Sequence, residues 1–257
     1  MRIVIGVEYN GTEFHGWQFQ DNLVTVQGCL ESALTDIAAE PIRVICAGRT
    51  DAGVHAMGQV VHFDTLAVRS LRAWAIGVNT RLPSSISVQW AVETDETFHA
   101  RYSAIARRYR YIIHNSSIRP AVLASRVTWY HYPLDVDLMC EAAEHLVGEH
   151  DFSSFRSSAC QSISPVRNIH FINIIRDHSR VIIEVQANAF LHHMVRNIVG
   201  VLMRIGAGFH KPDWVLDVLH VRDRRQAADT ASSAGLYLEK VIYPDEYVFP
   251  EQAPFFL

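Results

Sequence analysis

Residues Cys46 to Phe63 read CAGRTDAGVHAMGQVVHF, and within them a single carboxylate, Asp51, is bracketed by Gly48 and Gly53. Glycines on both sides let the backbone turn tightly and let a ligand approach it closely. Two readings follow. Asp51 either closes an Asx turn or stands at a loop apex as a nucleophile or base. The spacing matches neither G-x-x-x-x-G-K-[ST] nor G-x-G-x-x-G, so a nucleotide phosphate loop is not indicated. Of the residues around the loop, His55 is a candidate phosphate contact and Arg49 a candidate substrate contact.

A second segment, Arg107 to Asn115, reads RRYRYIIHN. Strand periodicity puts Arg108, Arg110 and Ile112 on one face and Arg107, Tyr109, Tyr111 and Ile113 on the other. Arginines interleaved with aromatics suit phosphate contacts beside a platform on which an unstacked base can lie. An edge strand with solvated arginines is the alternative.

A third segment, NAFLHHMVRNIVGVLMR from Asn188 to Arg204, has helical periodicity. Leu191, Met194, Val195, Ile198, Leu202 and Ile205 face a core, and His193, Arg196, Asn197, Gly200 and Arg204 fall towards the opposite side. An arginine on so apolar a helix tends to be partly buried and then needs a carboxylate partner, for which Asp51 is a candidate. His192 and His193 point to different sides of that helix, which makes them a poor metal pair, and no H-E-x-x-H spacing occurs.

Elements that could position these segments follow from periodicity. Strands are expected at 2–9, 42–47, 54–63, 86–93, 101–114, 168–176, 180–187 and 236–243. Helices are expected at 25–39, with Thr25 as N-cap, near 70–77, at 135–146, at 190–205 and after Pro212. This order suggests a duplicated α+β fold with antiparallel sheet, jointed near 94–100, with halves 1–97 and 98–257.

The chain has 257 residues, 49% hydrophobic and 19% charged, enough for a sizeable core and too apolar for extended disorder. Its net charge of -4 argues against a uniformly basic surface. The charges are nevertheless segregated. Residues 97–134 hold six arginines and no acid, and 135–151 hold six acids and no Lys or Arg. Of the 23 cations only Lys211 and Lys240 are not arginine, the cation suited to bidentate recognition of phosphate. Cys29, Cys46, Cys140 and Cys160 are widely spaced and read as buried thiols. Neither a signal peptide nor a membrane span is evident, so a cytoplasmic protein is expected.

The three segments together resemble the tRNA pseudouridine synthase I family, and the resemblance runs from Gly11 to Tyr243. GRTDAGVHA with GQVVHF resembles the family's catalytic loop and implies that Asp51 is the essential aspartate. RRYRY implies that Tyr109 packs against the target base, with Arg108 and Arg110 among the substrate contacts. FLHHMVRNIVG implies Arg196 as the ion-pair partner of Asp51, with Asn197 beside it, and Gly235 to Leu238 (GLYL) implies Leu236 as a base-pocket contact. Tyr9-Asn10-Gly11 and Gly16-Trp17-Gln18 stand for two further family signals, with Asn10 replacing the common Asp and Phe19 a frequent polar residue. The family's fold would be α+β, two similar halves whose mainly antiparallel strands form one continuous sheet flanked by helices, with a central RNA-binding cleft.

The implied reaction turns uridine into pseudouridine in the anticodon stem and loop of tRNA, after the base leaves its stack. The implied protein is a homodimer with no metal or other cofactor. Asp51 can add to C6 of the pyrimidine, attack C1' of the ribose, or remove the C2' proton, and residue types do not choose among these routes. Tyr109 can contribute its hydroxyl to proton removal from C5. A non-catalytic RNA-binding or RNA-remodelling module is the alternative from another class. A metal-dependent hydrolase would rest on the 14 histidines alone.

Overall fold

The computed structural model describes residues 1–250. The strands are β1 (Arg2–Tyr9), β2 (Ile45–Cys46), β3 (His55–Asp64), β4 (Ile86–Thr94), β5 (Ala106–Asn115), β6 (Thr128–Tyr130), β7 (Gly148–Asp151), β8 (Val166–Asp177), β9 (Arg180–Ala187) and β10 (Leu236–Ile242). The helices are α1 (Val26–Ala38), α2 (Val136–Glu144), α3 (Met194–Gly206) and α4 (Trp214–Val221), with a turn of π-helix at Ala73–Gly77.

Internal contacts divide the chain into two compact units, Met1–Ile105 with Tyr237–Leu257, and Ala106–Leu236. The first division therefore falls later than 97/98, and the last strand returns to the first unit. Burial and pairing explain both. Phe98 and Ala100 are fully buried, the Ala100 N–H donates to His62 Nδ1 at 3.1 Å, and the Tyr243 hydroxyl donates to Ala100 O at 2.7 Å. β10 then pairs in parallel with β3, Tyr237 opposite His55 and Leu238 opposite Ala56.

In the first unit β1 lies between β3 and β4 and is antiparallel to both, which buries almost all of it on both faces. Gly6 is required there. A Cβ on it would meet the Trp90 indole of β4 at 2.2 Å. α1 begins at the expected cap, the Thr25 hydroxyl accepting from Gly28 N, and buries Val26, Leu30, Ala33 and Leu34. It also buries an acid, Glu31, whose carboxylate binds Arg43, Gln27 and the Val44 N–H. This explains why the strand expected at 42–47 shrinks to Ile45–Cys46: the N–H groups of Ile42 and Val44 are taken by Thr35 and Glu31.

In the second unit β5, β9, β8 and β7 form an antiparallel sequence of neighbours, and β6 lies parallel to β5. β5 starts at Ala106, not 101, because His99 Nδ1 accepts from the N–H groups of Arg101 and Tyr102 and holds them in a turn. α2 is capped by Asp135. α3 starts at Met194, later than the expected 190, after His193 in the left-handed region at φ 64°. Part of its expected polar side is also enclosed. Asn197 and Gly200 are buried, and a Cβ on Gly200 would meet Asp229 O at 2.1 Å. Only Cys46 of the four thiols is fully buried; Cys29, Cys140 and Cys160 are half-buried.

Candidate active site

The Asp51 loop belongs to the first unit and is a tight turn. The Val54 N–H donates to Asp51 O at 3.1 Å, and Gly53 supplies the positive φ of 76° that this turn needs. Asp51 itself is half-buried at the apex and Arg49 beside it is exposed.

The residues beneath the loop are buried and hydrogen-bonded. Gln59 and Trp17 are enclosed, and the hydroxyls of Tyr9 and Thr50 share a hydrogen bond of 2.7 Å. Gln59 Nε2 donates to Gly48 O at 2.7 Å, while the Trp17 N–H donates to Thr50 O at 3.0 Å. Gly16, at φ 89°, lies so close to the loop that a Cβ would meet Thr50 O at 2.9 Å. Gly11 is equally constrained, since a Cβ there would meet Val54 O at 1.9 Å. The Tyr9-Asn10-Gly11 and Gly16-Trp17 signals thus brace the turn that carries Asp51. Asn10 keeps a defined task despite departing from Asp, accepting from the N–H and hydroxyl of Thr12.

His55, expected to contact phosphate, lies enclosed within the first unit. It is 1% exposed, its Nδ1 accepts from the Gly11 N–H at 3.1 Å, and its ring stacks on Tyr237 with centroids 4.6 Å apart.

The second unit holds the other expected residues. Tyr109 is buried on β5 with the Phe190 ring edge-on at 5.0 Å. Arg108 and Arg110 lie on the opposite face, as periodicity requires, but they are not simply solvated. Arg108 donates twice to Gln186 Oε1, at 3.1 and 2.8 Å, and lies over the Phe171 ring, while Arg110 pairs with Glu184 at 3.2 Å. One carboxylate from outside the acid-free block therefore lies against this strand. Tyr111 is fully buried, its hydroxyl donating to Ser232 O at 2.7 Å, and burial pushes its pKa up.

Arg196 is half-buried on α3, with Nε donating to Ala231 O at 2.7 Å. Asn197, expected among the RNA contacts, is fully enclosed. Its Nδ2 donates to Phe155 O at 2.7 Å and its Oδ1 accepts from Thr230 and Arg224, so its amide serves the protein interior. His192 and His193 precede α3 instead of lying on it, and their rings sit 4.1 Å apart. Leu236 is 5% exposed at the start of β10.

Sequence reading missed Gln59, Thr230 and Arg224. Gln59 carried a visible signal, a polar residue at the buried phase of the apolar run VVHF. Thr230 and Arg224 carried none, because their partner Asn197 is distant in sequence.

A tRNA pseudouridine synthase family model matches residues 5–103 and 142–244. A protein called tRNA pseudouridine synthase A from Coxiella burnetii (strain Dugway 5J108-111) is 55% identical over 258 residues, covering 100% of this chain and 99% of the relative. Its namesake from Shewanella sp. (strain ANA-3) is 54% identical over 253 residues, covering 98% and 97%. Among solved structures, a chain of a Cbf5-Nop10-Gar1 complex is 10% identical with a TM-score of 0.37, over 93% of this chain and 59% of that one, a likeness too distant to bear on function. No helix among the described residues is long and apolar enough to cross a membrane. With matches of this extent spanning both units, the chain belongs to the tRNA pseudouridine synthase family.

Proposed function

We propose that this synthase converts uridine to pseudouridine in the anticodon stem and loop of tRNA, with Asp51 as its essential carboxylate. The reaction breaks the N1 to C1' bond, turns the base and joins C5 to C1', so no atom is gained or lost and one carboxylate suffices. The observation that carries the reading is the build of the Asp51 turn. A half-exposed carboxylate stands on a turn braced from below by Tyr9, Trp17 and Gln59, the rigidity expected of a reacting group and unnecessary for an ordinary surface turn.

Arg196 is assigned as the counter-charge of Asp51. Tyr109 is assigned to the target base, with Leu236 as an apolar wall and Arg49 as a phosphate contact. Extruding the base costs roughly a few kcal/mol, and stacking on an aromatic ring offsets about 1 to 3 kcal/mol of it.

The synthase is further assigned as a cytoplasmic homodimer. The second unit supports a self-contact, because Trp129, Tyr132 and Phe209 are all more than two-fifths exposed, and Tyr132 packs edge-on against Phe209. Monomers seldom leave adjoining large rings open to water.

Replacing Asp51 by Asn tests the central claim, since it keeps shape and removes charge. Chemical mapping of pseudouridine should show no product while tRNA binding persists. Near-normal turnover would overturn the assignment, and binding of tRNA without product formation by the unaltered protein would favour a non-catalytic RNA-binding module.

A further inference from the structure

In the segment from Asp229 to Ser232, Asp229 passes close over Gly200 and each of the next three residues is hydrogen-bonded by a different group of the second unit. Gly200 admits Asp229, whose carbonyl would lie 2.1 Å from any Cβ there. Asn197 Oδ1 accepts from the Thr230 hydroxyl at 2.7 Å. Arg196 takes Ala231 at two points, its Nε donating to Ala231 O at 2.7 Å and its own carbonyl accepting the Ala231 N–H at 3.2 Å. Tyr111 donates to Ser232 O at 2.7 Å.

Arg224 closes the arrangement. Its Nη2 donates to Asn197 Oδ1 at 3.1 Å and to Thr230 Oγ1 at 2.9 Å. With both lone-pair sites of Asn197 Oδ1 occupied and its Nδ2 on Phe155 O, the amide has one orientation, and the Thr230 hydroxyl has one direction in which to donate.

We infer that Thr230 and Asn197 are positioning residues for the Arg196 guanidinium, a role that rests on the reading of Arg196 as the counter-charge of Asp51. An arginine whose Nε–H is bound to a fixed carbonyl has lost rotation about its last bonds, so the plane of the guanidinium is set by where that carbonyl stands. The Ala231 carbonyl follows directly after Thr230 in the chain. The Thr230 to Asn197 bond therefore fixes, at one remove, the direction in which the two Nη groups point. Asn197 adjoins Arg196 on α3, so the same helix turn carries both the guanidinium and the anchor of the peptide that orients it.

The test uses the full-length protein with a tRNA transcript. Thr230→Val keeps the branched shape and removes the hydroxyl, and it should lower kcat roughly ten- to hundred-fold with KM for tRNA unchanged, as expected for slight misplacement of a reacting group. Thr230→Ser should restore the rate. In an Arg196→Lys background the Nε–H is gone, so adding Thr230→Val should cause little further loss. Wild-type kcat in Thr230→Val, failure of Thr230→Ser to restore it, or a full further loss in the double variant would each overturn the positioning role. Wild-type turnover by Arg196→Lys would instead remove the reading of Arg196 itself, so the two failures are separable.

Discussion

Gln59 grips Gly48 by both ends of its amide. Nε2 donates to Gly48 O at 2.7 Å and Oε1 accepts from Gly48 N at 3.4 Å, so a buried β3 side chain acts as a strand-like partner for the backbone entering the Asp51 turn. Backbone that leaves a sheet to form a loop loses its ladder partners, and buried polar groups left so are costly. One glutamine satisfies them and leaves the loop free to diverge.

Replacing Gln59 with Met, similar in volume, should leave both Gly48 groups unsatisfied and destabilise the protein by about 1 to 3 kcal/mol. Urea denaturation reads the loss. Turnover should fall by more than the unfolded fraction explains, with tRNA affinity little changed, because the shift lies directly under Asp51.

Gly200→Ala sets two effects of opposite sign against each other. Alanine improves helix propensity by up to about 1 kcal/mol, whereas overpacking costs typically about 1 to 3 kcal/mol. The obstacle is a backbone carbonyl, Asp229 O at 2.1 Å, which cannot swing aside as a side chain would. The clash should prevail, lowering Tm, and a neutral or raised Tm would show that the 229–231 segment yields.

His62 should make stability fall on acidification. Burial, with help from Arg2 and His99, lowers its pKa from 6.5 to about 4, and its Nδ1 accepts from Ala100, which requires the unprotonated ring. A folded-state pKa below the unfolded one means the unfolded chain binds the proton more readily. This contribution is therefore complete above about pH 6.5 and is lost as pH falls towards 4. Denaturation midpoints across that window should decline less steeply in His62→Gln, which keeps a neutral acceptor.

Binding of tRNA should weaken steeply with added salt, since basic side chains release condensed counterions from phosphates. Glu184→Gln should tighten binding and steepen that response, because Glu184 lies 3.2 Å from Arg110 and 4.0 Å from Arg108. No change in slope would place the β5 arginines away from phosphate.

Local signals served well wherever one element decides the outcome. The Thr25 cap, the faces of β5 and the turn around Gly53 follow from short-range rules of period and backbone freedom, and each is present. Signals failed where a distant group intervened. The strand at 42–47 was shortened by acceptors on α1, the one at 101–114 by a turn around His99, and the joint near 94–100 moved because residues 98–105 and β10 are bound to the first unit.

The candidate site divides along the same line. Which residues are candidates for chemistry was legible, because Asp51, Tyr109 and Arg196 lie in short segments whose composition suits carboxylate, aromatic and cationic roles. Which polar residues serve the interior was not. His55 and Asn197 have the same composition whether they meet an RNA or a backbone group of their own chain, and only the tertiary structure brings Gly11 and Tyr237 to the first and Phe155, Arg224 and Thr230 to the second. Sequence by itself therefore determined the kinds of group available and the local geometry that presents them. The tertiary structure decided which were left to face a ligand, because hydrogen-bond capacity is finite and long-range packing consumes it first.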